Sequence, residues 1–269
     1  MPTGTPPKGA RMNDEIVFIV GDRLAGGPPR AGLMPLSRLI ADLRAGRLRD
    51  PLPALVPGQG IERHEMDLIR AELKRCRLPG TALWDAVPPE LAGRGEVHKH
   101  RQENVLIAGL RRIGDTHYQA ALRLSNTHEM VLDHTTGTHV TGMVVTEAVR
   151  QMSLAVAERY LLKPGQPVPR FLINSLQVSF SRFLLPLDAE IDYHLDEAVW
   201  KRPDVLRYHG QCDVLQAGVT TASGSMSLSV HEEGAAERIE ETQSDAVVRR
   251  LADRHQAGRS PEPSEHRVP

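Results

Sequence analysis

Aromatic residues are scarce in this chain, at 4% of 269 positions, and cysteine is nearly absent, with two copies. So few rings argue against the stacking platforms that bind single-stranded nucleic acid. Cys76 and Cys212 have no CxxC partner and no histidine pattern beside them. Neither a disulfide framework nor a zinc site follows, so no metal or cofactor is expected and a reducing cytoplasm is the natural compartment. Excess charge of one sign is also missing. The formal net charge is −1, which leaves no global field for nucleic acid or an anionic membrane. No apolar run approaches the roughly 18 residues of a membrane span. The polar, proline-rich start MPTGTPPKGARMNDE lacks the apolar core of a signal peptide. What is present is ordinary for a soluble globular chain: 40% hydrophobic and 25% charged residues, with length for one or two domains. The abundance of Arg, Ala, Gly and Pro fits a GC-rich bacterial genome.

Residues 1–13 read as a disordered leader. EIVFIVGD is a compact apolar run, expected as a buried strand. MPLSRLIADLRAG places Leu36, Leu39, Ile40 and Leu43 at i, i+3, i+4 and i+7, an amphipathic helix stopped by Gly46. PALVPGQG adds a short strand, and ERHEMDLIRAELKRC a second helix with Met66, Ile69 and Leu73 on one face. This βαβα order predicts a small α/β cap over residues 14–80, followed by a Pro/Gly-rich connector over 81–96. The GQG at Gly58–Gly60 precedes a helix, where phosphate can bind. It lacks the third glycine of a dinucleotide fingerprint, and a plain turn is the competing use.

From Val97 the periodicity changes. ENVLIAGLRRI and THYQAALRLS flank Gly114-Asp115, a two-residue hairpin signal. A polar loop, MVLDHTTGTHVTG, leads into MVVTEAVRQMSLAVAERYLL, which is apolar on most sides and so predicts a helix wrapped by protein. Lys163-Pro164-Gly165 ends it. Four alternating segments follow. Their inward positions are Leu176, Val178 and Phe180; Ile191, Tyr193 and Leu195; Leu206, Tyr208, Cys212 and Val214; and Met226, Leu228 and Val230. Hairpin turns are expected at Arg202-Pro203-Asp204 and Ala217-Gly218. Two strands, a long buried helix and four more strands is the order of a hotdog domain, placed at 97–231. The fold class is therefore α+β, with a small α/β domain in front and a mobile charged tail over 232–269 that holds at most a short helix.

The chemistry concentrates in DHTTGTHVTGMVVTEAVRQ, Asp133–Gln151. His134 and His139 sit in a loop just before the buried helix. Glu147, Arg150 and Gln151 can share one face of that helix. Charges on so apolar a helix must be paired or face a cavity. One reading is a buried ion pair that sets the helix register. The other is a polar pocket in which the amide near Gly142, helped by the helix dipole, polarises a carbonyl. The histidines either shape the loop or supply a general base.

These residues carry a resemblance. Gly142, Met143, Glu147, Ala148, Arg150 and Gln151 match the GMxxxEAxRQ segment of the AfsA-like (A-factor biosynthesis) hotdog family. DHTTGTHVTGM is similar to its DHxxxHVPGM loop, with one extra residue and Thr141 in place of proline. VHKHRQENVLI resembles its entry strand through Val97, His98, Lys99 and Glu103, although His98 and Lys99 could equally be surface residues on an edge strand. The likeness covers about half of the chain. It implies that Glu147 and Arg150 serve activity, with His134 and His139 as further catalytic candidates and Gly142, Gln151, His98 and Lys99 as substrate-binding ones. A more distant similarity to hotdog dehydratases pairs a loop histidine, here His134, with Glu147.

The resemblance implies an acyl thioester substrate, delivered on an acyl carrier protein or coenzyme A. It also implies a small hydroxylated acceptor, as in γ-butyrolactone or butenolide signal biosynthesis. Dehydration or thioester hydrolysis in the same site is the alternative, and a non-catalytic ligand-binding module is another. The better-known relatives carry two hotdog repeats, whereas one is legible here. A single repeat leaves an edge strand open, so a homodimer is expected.

Overall fold

The computed structural model describes residues 16–26, 30, 32–84, 88–133, 139–162 and 169–257. The front of the chain builds a three-stranded parallel sheet in the order β2-β1-β3, from β1 (Ile16–Val20), β2 (Leu33–Pro35) and β3 (Ala54–Pro57). Helix α1 (Leu36–Arg44) crosses from β2 to β3, and α2 (Arg63–Arg75) follows. The apolar spacing decides which faces are buried: Leu39, Ile40 and Leu43 of α1 pack with Met66, Ile69 and Leu73 of α2 and with Ile19 and Leu55 from the sheet. Glu62 and Glu65 close a reciprocal capping box at the start of α2. The unit is α/β, as its helical periodicity predicts, and not a second hotdog. The short strand β2 carries too little pattern to be seen in the sequence.

The rest is a six-stranded antiparallel sheet wrapped on one helix. Its strands are β4 (Ile107–Arg112), β5 (His117–Leu122), β6 (Pro169–Phe180), β7 (Ala189–Arg202), β8 (Val205–Gln216) and β9 (Val219–Glu232), in the spatial order β4-β5-β7-β8-β9-β6. A short helix α3 (Glu129–Leu132) precedes the central helix α4 (Gly142–Val156), which continues through a π turn, Ala157–Leu161. Val144, Val145, Ala148, Val149, Met152 and Leu154–Val156 of α4 are buried against Tyr118, Ile191, Tyr193, Tyr208, Met226 and Leu228 from the strands. This is the hotdog arrangement. The turn after β8 falls at Ala217-Gly218, both at positive φ (52° and 75°), which suits a tight hairpin.

Four details differ from the sequence pattern. The entry segment VHKHRQENV is not a strand: residues 94–98 form a turn, Gln102–Asn104 a 3₁₀ turn, and β4 begins only at Ile107. Backbone pairing carries β6, β7 and β9 beyond their alternating stretches. Phe180 is 55% exposed rather than inward, because it lies over Gly142 at the mouth of α4. The charged tail, expected to hold at most a short helix, forms the 25-residue α5 (Glu233–Ala257). The leader at 1–13 and the Lys163-Pro164-Gly165 helix stop lie outside the described residues.

The GQG turn fastens the two units together. Gln59 is fully buried (0% exposed), and its side-chain N–H groups donate to Leu122 O (2.9 Å) and Leu187 O (3.2 Å). Its Oε1 accepts from Leu124 N–H at 2.7 Å, and Gly60 N–H donates to Leu124 O at 2.8 Å. A side chain on Gly58 would stand 2.9 Å from Pro186 O, so glycine is required for the approach. The turn reading of GQG holds, and its work is docking. The connector then covers the β4 edge, where Ala92 N–H donates to Ile107 O and Gly109 N–H to Glu90 O. At the other end of the sheet, among the described residues, β6 pairs only with β9.

Candidate active site

Glu147 projects from the second turn of α4 and is 9% exposed. Its Oε1 accepts from Lys99 Nζ (2.8 Å), Arg150 Nη2 (2.8 Å) and Gln151 Nε2 (3.0 Å), and its Oε2 from Arg150 Nε (2.8 Å). The i+3 and i+4 spacing lets Arg150 and Gln151 reach the carboxylate from the same helix face. Lys99 arrives from the turn before β4. Burial alone raises the Glu147 carboxyl, but the hydrogen bonds from Arg150 and Lys99 and the Arg150 charge outweigh it and hold it at about 2.

Each donor is itself anchored. Arg150 Nη2 also donates to Val97 O at 3.3 Å. Gln151 is fully buried, donates to Asn104 O (2.8 Å) and accepts from Leu106 N–H (2.8 Å), so it ties α4 to the entry of β4. His98 has φ of 54° and faces Glu158 Oε1 at 3.1 Å, its ring edge-on to Phe171. It braces the turn that aims Lys99 and makes no bond to Glu147.

At the helix mouth, the Thr141 hydroxyl accepts from Val144 N–H at 3.3 Å. That leaves other first-turn amides, which have no partner within a helix, for a ligand. Gly142 lies under the Phe180 ring, 3.1 Å from where a side-chain carbon would stand. Met143, Phe180 and Phe183 are 63%, 55% and 76% exposed and surround this mouth with apolar surface. His139 stacks at a tilt on Phe183, ring centres 4.7 Å apart, so it belongs to the mouth rather than to the carboxylate. His134 lies outside the described residues.

A further histidine, which the sequence pattern did not single out, feels the charges of the cluster. His128 is 2% exposed, and its Nδ1 accepts from Met130 N–H at 3.1 Å. An accepting Nδ1 places the proton on Nε2, which has no hydrogen-bond partner among the described residues. Burial, then the Lys99 charge, push its pKa down, against a weaker upward pull from Glu147. A lone histidine before a short helix carries no periodic signal that could have marked it.

The 3₁₀ turn Gln102–Asn104 also borders a cavity of about 470 Å³ at the seam of the two units. Gln102, Glu103, Arg123, Thr127, Leu91 and Leu124 line it, and its size suits a small ligand. Among the described residues, no helix is long and apolar enough to cross a membrane.

A family model described as the A-factor biosynthesis hotdog domain (AfsA) matches residues 85–232, more than half of the chain. No match to a curated protein is found. Among solved structures, similarity extends to a conserved protein of Pseudomonas aeruginosa, at 12% identity and a TM-score of 0.37, covering 52% of this chain and 99% of that one. It also extends to a thioesterase of Haemophilus influenzae, at 13% identity and 0.35, covering 47% and 78%. A mutant thioesterase of Pseudomonas aeruginosa aligns at 11% identity and 0.35, covering 46% and 81%.

Proposed function

Because the chain belongs to the family of A-factor biosynthesis hotdog domains, we propose that it is an enzyme acting on acyl thioesters, transferring the acyl group to a small hydroxylated acceptor. The observation that carries this reading is the anchored Lys99–Glu147–Arg150–Gln151 cluster, set in α4 behind first-turn amides that open between exposed aromatic rings. The thioester carbonyl docks at those amides near Gly142, where the helix dipole favours negative charge on oxygen. The acceptor hydroxyl attacks the carbonyl carbon, and the new C–O bond forms as the proton passes to a loop imidazole, His139 or His134. Collapse of the adduct breaks the C–S bond, and the imidazolium returns the proton to the departing thiolate. Glu147, held at about 2, is too weak a base for that proton near neutral pH. Its part is to position Lys99 and Arg150, whose charges suit an anionic group on the acceptor or carrier.

The thioester arrives on an acyl carrier protein or on coenzyme A, and the setting is bacterial specialised metabolism of the γ-butyrolactone or butenolide kind, in the cytoplasm. Two chains form the working unit. The connector covers the β4 edge, whereas among the described residues no strand pairs with the outer side of the 12-residue β6, which exposes Ile173 and Phe180. Pairing there closes the sheet and brings a second chain beside the Gly142 mouth.

A second reading is favoured by the burial of Glu147, whose two oxygens are both hydrogen-bonded within the protein: a hotdog module that binds a small ligand without turnover. Incubation of purified protein with acyl-coenzyme A and acyl-carrier thioesters, with and without hydroxylated acceptors, separates the possibilities. Acceptor-dependent thiol release supports transfer, and acceptor-independent release means hydrolysis. Ligand binding without thiol release, or a dehydrated product, overturns transfer in favour of the module or of a dehydratase.

A further inference from the structure

The outer face of the sheet carries a cluster unrelated to α4. His117 on β5 stands directly opposite His194 on β7, and Asp192 lies two residues before His194, so the pleat puts all three on one face. The neighbouring positions Tyr118, Ile191 and Tyr193 point inward to the core, so this is the face away from Glu147. The imidazoles stack with centres 3.9 Å apart and planes at 21°. His117 Nε2 is 2.5 Å from Asp192 Oδ1, and His194 Nε2 is 3.8 Å from Asp192 Oδ2. One ligand atom from each residue falls within 4.8 Å of the other two.

We propose that His117, His194 and Asp192 form a binding site for a borderline divalent transition-metal ion, Zn²⁺ above all, that staples β5 to β7. Two imidazoles and one carboxylate are the donor set such ions favour, at metal–ligand distances of about 2.0–2.2 Å. Donors on a tetrahedral ion then stand roughly 3.3 Å apart, between the 2.5 and 3.8 Å seen here. Small side-chain rotations admit the ion, and water completes the shell on the open side.

Charge at the next position argues the same way. Asp213 on β8 lies directly opposite Asp192, and facing like charges destabilise a sheet. The Ser223 hydroxyl donates to Asp213, and Arg111, the cation in that row, is bonded to Gln119. Among the described residues, neither aspartate pairs with a Lys or Arg, so a cation at the histidines relieves both. Glu62, His64 and Glu65 form another compact group, but their two carboxylates already serve the α2 capping box.

The test is titration of metal-free, untagged full-length protein with Zn²⁺ against a chromophoric chelator, with Co²⁺ as a spectroscopic probe. One saturable ion per chain, a tetrahedral Co²⁺ spectrum and a rise in Tm are expected. Asp192→Asn and His194→Ala should each weaken binding by at least about tenfold, a loss usual even for groups one shell removed from a metal. Their combination should abolish the Tm rise, and His64→Ala should change nothing. His194 is 53% exposed at its side chain, so its variant keeps the fold and the test stands on it alone if Asp192→Asn is unstable. Unchanged affinity in the variants, loss of binding in His64→Ala, or no saturable ion at all overturns the site.

Discussion

Lys99 reaches Glu147 at 2.8 Å because the residue before it, His98, turns the backbone through the left-handed region at φ 54°. That conformation costs a non-glycine residue about 1 kcal/mol, and the contacts of His98 with Glu158 and Phe171 offset it. The salt bridge joins the turn before β4 to α4, and its lysine is the cation of the cluster not tied to the helix backbone.

Replacing Glu147 with Ala strands two half-buried cations, Lys99 and Arg150. A loss of about 2–3 kcal/mol is expected, below the cost of stranding a fully buried charge because water still reaches both. Glu147→Gln keeps the shape but only one acceptor oxygen, and its amide N–H groups face the Arg150 and Lys99 donors, so it should fold better than the Ala variant yet lose turnover by tenfold or more, about 1.4 kcal/mol in the barrier. Denaturant unfolding with acyl-transfer assays checks both, and wild-type turnover in a folded Gln variant would sink the positioning role.

Arg150→Lys should fail to restore the site. The guanidinium bonds both Glu147 oxygens through Nε and Nη2 at 2.8 Å, a fork that an ammonium cannot reproduce. A fall in activity with little change in Tm is expected, and unchanged kcat/KM would reduce Arg150 to a packing residue.

Acid should find Glu147. Its carboxyl falls from 4.5 to about 2 on folding, so the folded state binds that proton less readily than the unfolded chain. The stabilisation, about 3 kcal/mol at 1.4 kcal/mol per unit, is complete above pH ~4.5 and is lost as pH falls through ~2. Unfolding free energy measured against pH in wild type and Glu147→Gln should converge across that window. Parallel curves would contradict the assignment.

Gln59→Ala should loosen the seam between the two units. It removes the bonds to Leu122, Leu124 and Leu187 and leaves buried backbone groups unpaired, at a cost of about 2–4 kcal/mol. Limited proteolysis should then cut near the connector while the hotdog survives. Equal protease resistance in the variant would show that the latch is dispensable.

Size exclusion with light scattering should give twice the single-chain 29.7 kDa. Ile173→Lys, on the open β6 edge, should shift it to monomer, and a monomeric wild type at micromolar concentration would end the two-chain proposal.

The elements themselves were legible in the sequence because burial leaves a local period. Leu39, Ile40 and Leu43 announce α1, and Ile191, Tyr193 and Leu195 announce the inner face of β7, each through spacing alone. Glu147, Arg150 and Gln151 were visible for the same reason, since charge on an apolar helix stands out against its period. The outward place of Phe180 was not, because alternation names two faces and only the neighbour, Gly142, decides which is covered.

The order of elements, the face each buries and the charged triplet on α4 were all set locally, since each follows from residues a few positions apart. Tertiary structure alone decided that Lys99 completes the carboxylate's shell, that His128 is buried where the Lys99 and Glu147 charges reach it, and that Gln59 docks the front unit. It alone set His117 against His194 and Asp192. The partners of Lys99, Gln59 and His117 come from segments tens of residues away, where no periodicity links them, and only the closing of the sheet around the helix brings their polar atoms within bonding distance.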